Sequence, residues 1–385
     1  MNRTPLAVAV VLASQLAAQS FTDLTESRNA PQPYTSIFQV EAGAIGTTPD
    51  DKDKSVGLDN DISWDARVYY RNEAFGSRKG TVAAYAGRDG LYASYADGKL
   101  VGDDTVTRFE FRGRPWMFYR DGFYRNDQLV PNGFYEGSDY EGYIGFGKMT
   151  QGLYIELGPF YRGLSFKASE LTPVTFSLPE NFNAYGARIY LEQSAVQMDR
   201  KRGLPREGHV ITLNGEREWN DSEGNIGSGA FSTELPSAVW RLRGRLEWYI
   251  PGSDTTCWEV FALGGWHDEK DRIQSSEGQR PLGNQWVDAQ LRLRLAVSNS
   301  ITFTPYFNGQ YSRVLEEDGF DADRKFFLGG GADLWVHFSD TLSMQASYSY
   351  LDNENRPSIR IDEDLHGQQM FYVGMALRIG HAARR

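Results

Sequence analysis

Long stretches from residue 36 onward alternate apolar and polar side chains with a period of two. Only an extended strand with two chemically different faces produces that pattern. In 287–297, Val287, Ala289, Leu291, Leu293 and Leu295 are separated by Asp288, Gln290, Arg292 and Arg294. In 342–350, Leu342, Met344, Ala346, Tyr348 and Tyr350 alternate with Ser343, Gln345, Ser347 and Ser349. The stretches 62–68, 240–250 and 301–311 read the same way. A water-soluble sandwich with one wet face and a transmembrane barrel with a lipid face both generate such strands.

Length separates the two. The runs extend over about 10–15 residues where soluble strands average about 5–6, and a tilted membrane strand needs about 9–11. Aromatic residues cluster near strand ends, at Trp240, Trp248, Tyr348, Tyr350 and Phe371, where interfacial girdles lie. The connections also alternate long and short. From the C-terminus, 352–368, 314–325, 268–284, 220–235, 168–183 and 121–138 are long. Between them, 339–340, 299–300, 251–256, 200–207 and 150–151 are short or moderate. Short periplasmic turns and long outer loops give this rhythm, and a sandwich has no reason to keep it. The expectation is all-β: a single antiparallel transmembrane barrel of about sixteen strands over 36–379, both termini periplasmic, with a short tail at 380–385.

The first eighteen residues, MNRTPLAVAVVLASQLAA, carry a basic start, a short apolar run and small residues at the end, which predicts a cleaved export signal over 1–18. Residues 19–35 then read as a flexible periplasmic lead. No later apolar stretch is long enough for a membrane helix. The single cysteine, Cys257, excludes an internal disulfide and a cysteine-rich zinc site. A net charge of −11 argues against a nucleic-acid partner.

This pattern resembles Gram-negative outer-membrane β-barrel proteins, porin-like, across nearly the whole mature chain. The last strand, Phe371 to Ile379, looks like their C-terminal insertion signal, although it ends in Ile and a tail follows it. The resemblance implies residence in the outer membrane, contact with its lipid and lipopolysaccharide, and the barrel-assembly machinery as a partner during biogenesis. The segment Met198 to Leu213, with Asp199, Pro205 and Gly208, is similar to a turn of the Omp85/surface-antigen barrels. That likeness implies sixteen strands and protein insertion or export.

Assigning each strand by its apolar face places Arg241, Arg243, Arg245, Arg292, Arg294, Arg108, Arg112 and Arg67 in the lumen. Arg71, Arg114, Arg120, Arg162, Arg188, Arg217 and Arg378 join them. Against these stand Asp65, Glu110, Glu156, Glu192, Glu247, Asp288 and Asp333. That surplus of arginine predicts a basic, anion-favouring pore for small solutes. Pairing across strands, with the charges as lumen filling, is the competing reading. Two further alternatives are a non-transport barrel, for anchoring, adhesion or protein insertion and export, and a secreted soluble β-protein. Enzymatic activity is not expected: His267-Asp268 at the outer lip has no nucleophile motif beside it. His209, His337, His366 and His381 lack metal-ligand spacing, and no cofactor motif is present. The acidic runs Glu316–Asp323 and Asp362–Asp364 offer oxygen ligands for divalent cations, or simply solvated loop tips.

Overall fold

The computed structural model describes residues 28, 34–49, 61–76, 80–88, 90–102, 104–125, 128–169, 172–199, 204–273, 283–316, 324–352 and 367–382. Sixteen antiparallel strands close into one barrel. The first eight are β1 (Tyr34–Pro49), β2 (Asp61–Phe75), β3 (Gly80–Gly87), β4 (Gly90–Asp97), β5 (Val106–Arg125), β6 (Gln128–Thr150), β7 (Leu153–Ala168) and β8 (Phe182–Asp199). The others are β9 (Leu204–Asn220), β10 (Ala238–Pro251), β11 (Thr256–His267), β12 (Gly283–Ala296), β13 (Ile301–Val314), β14 (Arg324–His337), β15 (Leu342–Asp352) and β16 (Gly367–Ala382). Each strand pairs with its sequence neighbour, and β1 closes the ring on β16 through fifteen paired positions, from Tyr34–Ala382 to Pro49–Gln368. Closure removes both sheet edges, which is the condition for placing strands in hydrocarbon.

The two faces are sorted as the alternation predicts. Trp64, Phe111, Leu157, Leu213, Leu291 and Val373 point outward and are 40–81% exposed. A continuous apolar belt of this kind suits hydrocarbon and is a liability in water. Facing inward, β12 carries Asp288, Gln290, Arg292 and Arg294, and the wall of β13 and β15 carries Thr302, Thr304, Gln310, Gln345 and Ser347. The short connections expected at 150–151, 200–207, 251–256, 299–300 and 339–340 fall at one end of the barrel, while the β3–β4 hairpin, closed by the Gly87–Gly90 pair, turns at the other. At the β6–β7 turn, Gln151-Gly152, both residues have positive φ, 50° and 83°; two left-handed residues are what a two-residue hairpin turn demands.

One connection differs from expectation. The long loop expected at 121–138 is strand: β5 and β6 continue until only 126 and 127 separate them. Their ladder slips between Arg114 and Met117, around Pro115, and again between Asp121 and Gly122. Proline cannot donate to a ladder, and such irregularities bend a hairpin. The bent hairpin reaches over the outer mouth. Phe123 packs against Leu315, which follows β13 on the opposite side of the ring, and stacks on Phe231 at 3.7 Å between ring centres. Beside this contact, Tyr119 and Tyr135 gather Phe176, Ile226, Leu235 and Ile273 from three outer connections into a buried apolar cap.

Candidate functional site

Beneath the cap, β5 to β10 present arginines, carboxylates and tyrosines to the lumen, and these form one connected ionic network. Arg188 on β8 is fully buried, with Glu141 of β6 and Glu216 of β9 each 2.7 Å from its guanidinium. Arg162 of β7 lies 2.5 Å from Glu141 and 2.7 Å from Glu218. Glu218 also meets Arg241 at 2.6 Å, and Arg241 reaches Asp271 in the connection after β11 at 2.8 Å. The next residue, Arg272, pairs with Asp121 of the hairpin at 2.5 Å. A line of alternating charges therefore runs from the lumen wall to the lid.

The lower part of the network holds a side chain from outside the wall. Arg28, within the expected periplasmic lead, lies inside the barrel with its guanidinium against Glu110 and Glu156. Its backbone N–H donates to Glu192 at 2.6 Å. Tyrosine hydroxyls hold the same carboxylates: Tyr143 and Tyr154 donate to Glu156 at 3.0 and 2.5 Å, and Tyr190 donates to Glu192 at 2.6 Å. Gly145 on β6 makes this approach possible, since a Cβ there would collide with the Glu156 carboxylate.

The expected lumen arginines take these positions. Arg108 lies 3.2 Å from Glu156, Arg112 2.7 Å from Glu110, and Arg67 2.8 Å from Asp65. Arg245 pairs with Glu247, Arg292 with Asp333 at 2.7 Å, and Arg294 with Glu259 at 2.9 Å. Arg243 shares the inward parity of Arg241 and Arg245. The structure does not keep the surplus of positive charge. Glu41, Asp139, Glu141, Glu216, Glu218 and Glu259 are also buried inside and add to the carboxylates expected there. Arg217 is a correction of sign: it shares the outward parity of Ile211, Leu213 and Trp219, and its guanidinium lies 5.6 and 5.0 Å from the rings of Trp219 and Trp240. The side chain of Arg120 lies outside the described residues.

His267 and Asp268 do not act on one another through their side chains. The imidazole faces the carbonyls of Asp268 and Gly283 at 3.0 and 3.1 Å, while the Asp268 carboxylate accepts from the Trp240 N–H at 2.7 Å. Among the described residues no three His, Cys, Asp or Glu side chains are placed to hold a metal. Cys257 is buried on the inner face near the Arg206 carbonyl. Apart from Glu316, the acidic runs at 316–323 and 362–364 lie outside the described residues.

No family model matches the chain, and no curated protein matches it. Solved structures do. CdiB from Acinetobacter baumannii superposes with a TM-score of 0.53 at 8% identity, over 89% of this chain and 60% of that one. BamA from Haemophilus ducreyi lacking POTRA domains 1–3 gives 0.53 at 11%, over 90% and 71%. CdiB from Escherichia coli gives 0.50 at 10%, over 92% and 64%. This chain thus spans less than two thirds of either CdiB chain. At such identities the likeness is one of architecture: the fold is that of an outer-membrane β-barrel.

Proposed function

We propose that this chain is a gated, porin-like pore of the outer membrane that passes small polar solutes. The observation that carries the reading is a polar, ion-paired interior inside a sixteen-strand apolar wall, with a bent hairpin across its mouth. Barrels of this strand number enclose an aqueous channel, and a lid held by a few contacts is the kind of element that opens. Export through the 1–18 signal and insertion by the assembly machinery, read from the last strand, belong to the same proposal.

Selectivity in this reading is weak. Arg67, Arg108, Arg112, Arg241, Arg245, Arg292 and Arg294 each lie against a carboxylate, so the fixed potential they add is largely cancelled. Planar-bilayer recording tests the pore and the lid together. The wild-type barrel is expected to be mostly closed, with reversal potentials near zero in a salt gradient. Replacing Phe123 and Arg272 by Ala should raise the open fraction by about tenfold or more, the equivalent of about 1.4 kcal/mol of lost lid contact. Absence of current in both proteins would remove the pore reading and leave an anchoring or insertion role. Insertion or export through a parted seam is less favoured, because the β1–β16 junction is longer than the six paired positions joining β2 to β3.

A further inference from the structure

Arg28 comes from a stretch that precedes the first strand, yet its side chain is only 2% exposed, deep among β5 to β8. What receives it has the makings of a receptor for a flat cation. Glu110 lies 3.5 Å from one guanidinium nitrogen and Glu156 contacts another. The ring of Tyr190 lies 4.2 Å from the guanidinium carbon and that of Tyr143 lies 5.4 Å away. The carboxylates are oriented independently of the arginine, because the tyrosine hydroxyls donate to them from the wall. Carboxylates in fixed positions beside aromatic faces favour guanidinium, which is planar, forked and weakly hydrated, over a compact ammonium.

We propose that this cradle is a binding site for guanidinium-bearing solutes, occupied in this structure by the chain's own Arg28 as an internal ligand. Arg28 is tethered, so its local concentration is high and a free solute must compete with it. Removing the arginine opens the site. Glu156 and Glu110 would then keep Arg108 and Arg112 but each lose one of its buried cations, a costly change that a free guanidinium repairs.

The test is a calorimetric titration of the full chain in detergent micelles with methylguanidinium, and with methylammonium and acetate as comparison ions. R28A should bind methylguanidinium at least about tenfold more tightly than wild type. It should also unfold at lower temperature than wild type and regain that temperature when methylguanidinium is added. Methylammonium should act more weakly and acetate not at all. Adding E156Q to R28A should weaken binding by about tenfold or more, since a charged acceptor is lost. Equal titration of wild type and R28A would overturn the proposal, as would binding indifferent to E156Q. Should R28A fail to assemble, R28K retains the charge without the fork and should still admit methylguanidinium more readily than wild type; equal affinity there would overturn it as well. The titration needs no current, so its outcome is independent of whether the barrel conducts.

Discussion

At the level of single side chains, the lumen is decided by parity. A slip of one position along a strand exchanges its two faces, and β9 shows the consequence. Ile211, Leu213 and Trp219 mark the odd positions of that strand as outward, which brings Glu216 and Glu218 inside with Val210 and Thr212. With Arg217 outside and Glu216 and Glu218 inside, β9 adds two carboxylates and no arginine to the lumen. Arginine lies outside here because its stem covers apolar wall while the guanidinium rests on Trp219 and Trp240. The pairing then predicts the effect of substitution. R241Q, R243Q and R245Q together take cations from beside Asp271 and Glu247 and leave Glu218 to Arg162, so reversal potentials should move toward cations, the opposite of diluting an anion filter; a shift toward anions would refute the pairing. R188A removes a buried cation facing Glu110, Glu141 and Glu216 and should destabilise the barrel by about 3–5 kcal/mol, read as lower urea or heat resistance of the folded band on a gel. L293R places charge on the lipid face at about 2–4 kcal/mol. R294L should cost less, because Arg292 stays 3.5 Å from Glu259.

At the level of strands, alternation made most of the barrel legible, and from β6 onward the connections keep the expected long-short rhythm. The exception is the β5–β6 hairpin. Its sequence, with Pro115, Gly122, Pro131 and Gly133, reads as loop because those residues break alternation, and the structure uses them at the bends of a strand pair. Glycine also hid Glu141: with Gly142 and Gly145 beside it, only half the period carries side chains that declare a face. Cysteine labelling tests the assignment of ends. E269C, which replaces the half-exposed partner of Arg313, should react on intact cells, and D340C should react only after the outer membrane is permeabilised. The reverse pattern would invert the barrel. The lid was illegible from sequence for a different reason: Phe123 and Leu315 are neighbours only because a closed ring brings its far side within reach of a bent hairpin.

The whole molecule is a cylinder of unequal height. β6 runs for 23 residues, while β3 and β4 have eight each. Eight residues rising about 3.3 Å each and tilted by about 40° span roughly 20 Å along the membrane normal. The apolar band of such barrels is about 25 Å tall. Beside β3 and β4 the lipid leaflets must therefore draw together by about 5 Å, at a cost of a fraction of a kcal/mol for each ångström. The outward side chains there, Ala84, Ala86 and Ala93 among them, are small and resist that pinch little. Refolding from urea into vesicles should accordingly give higher yields in lipids of short acyl chain than in long ones, and lengthening β3 and β4 by two residues each should flatten that dependence. A dependence on chain length that survives the extension would place the mismatch elsewhere on the cylinder. The short hairpin thus makes the barrel an agent on its solvent: it carries a dimple of thinned, disordered lipid with it wherever it diffuses.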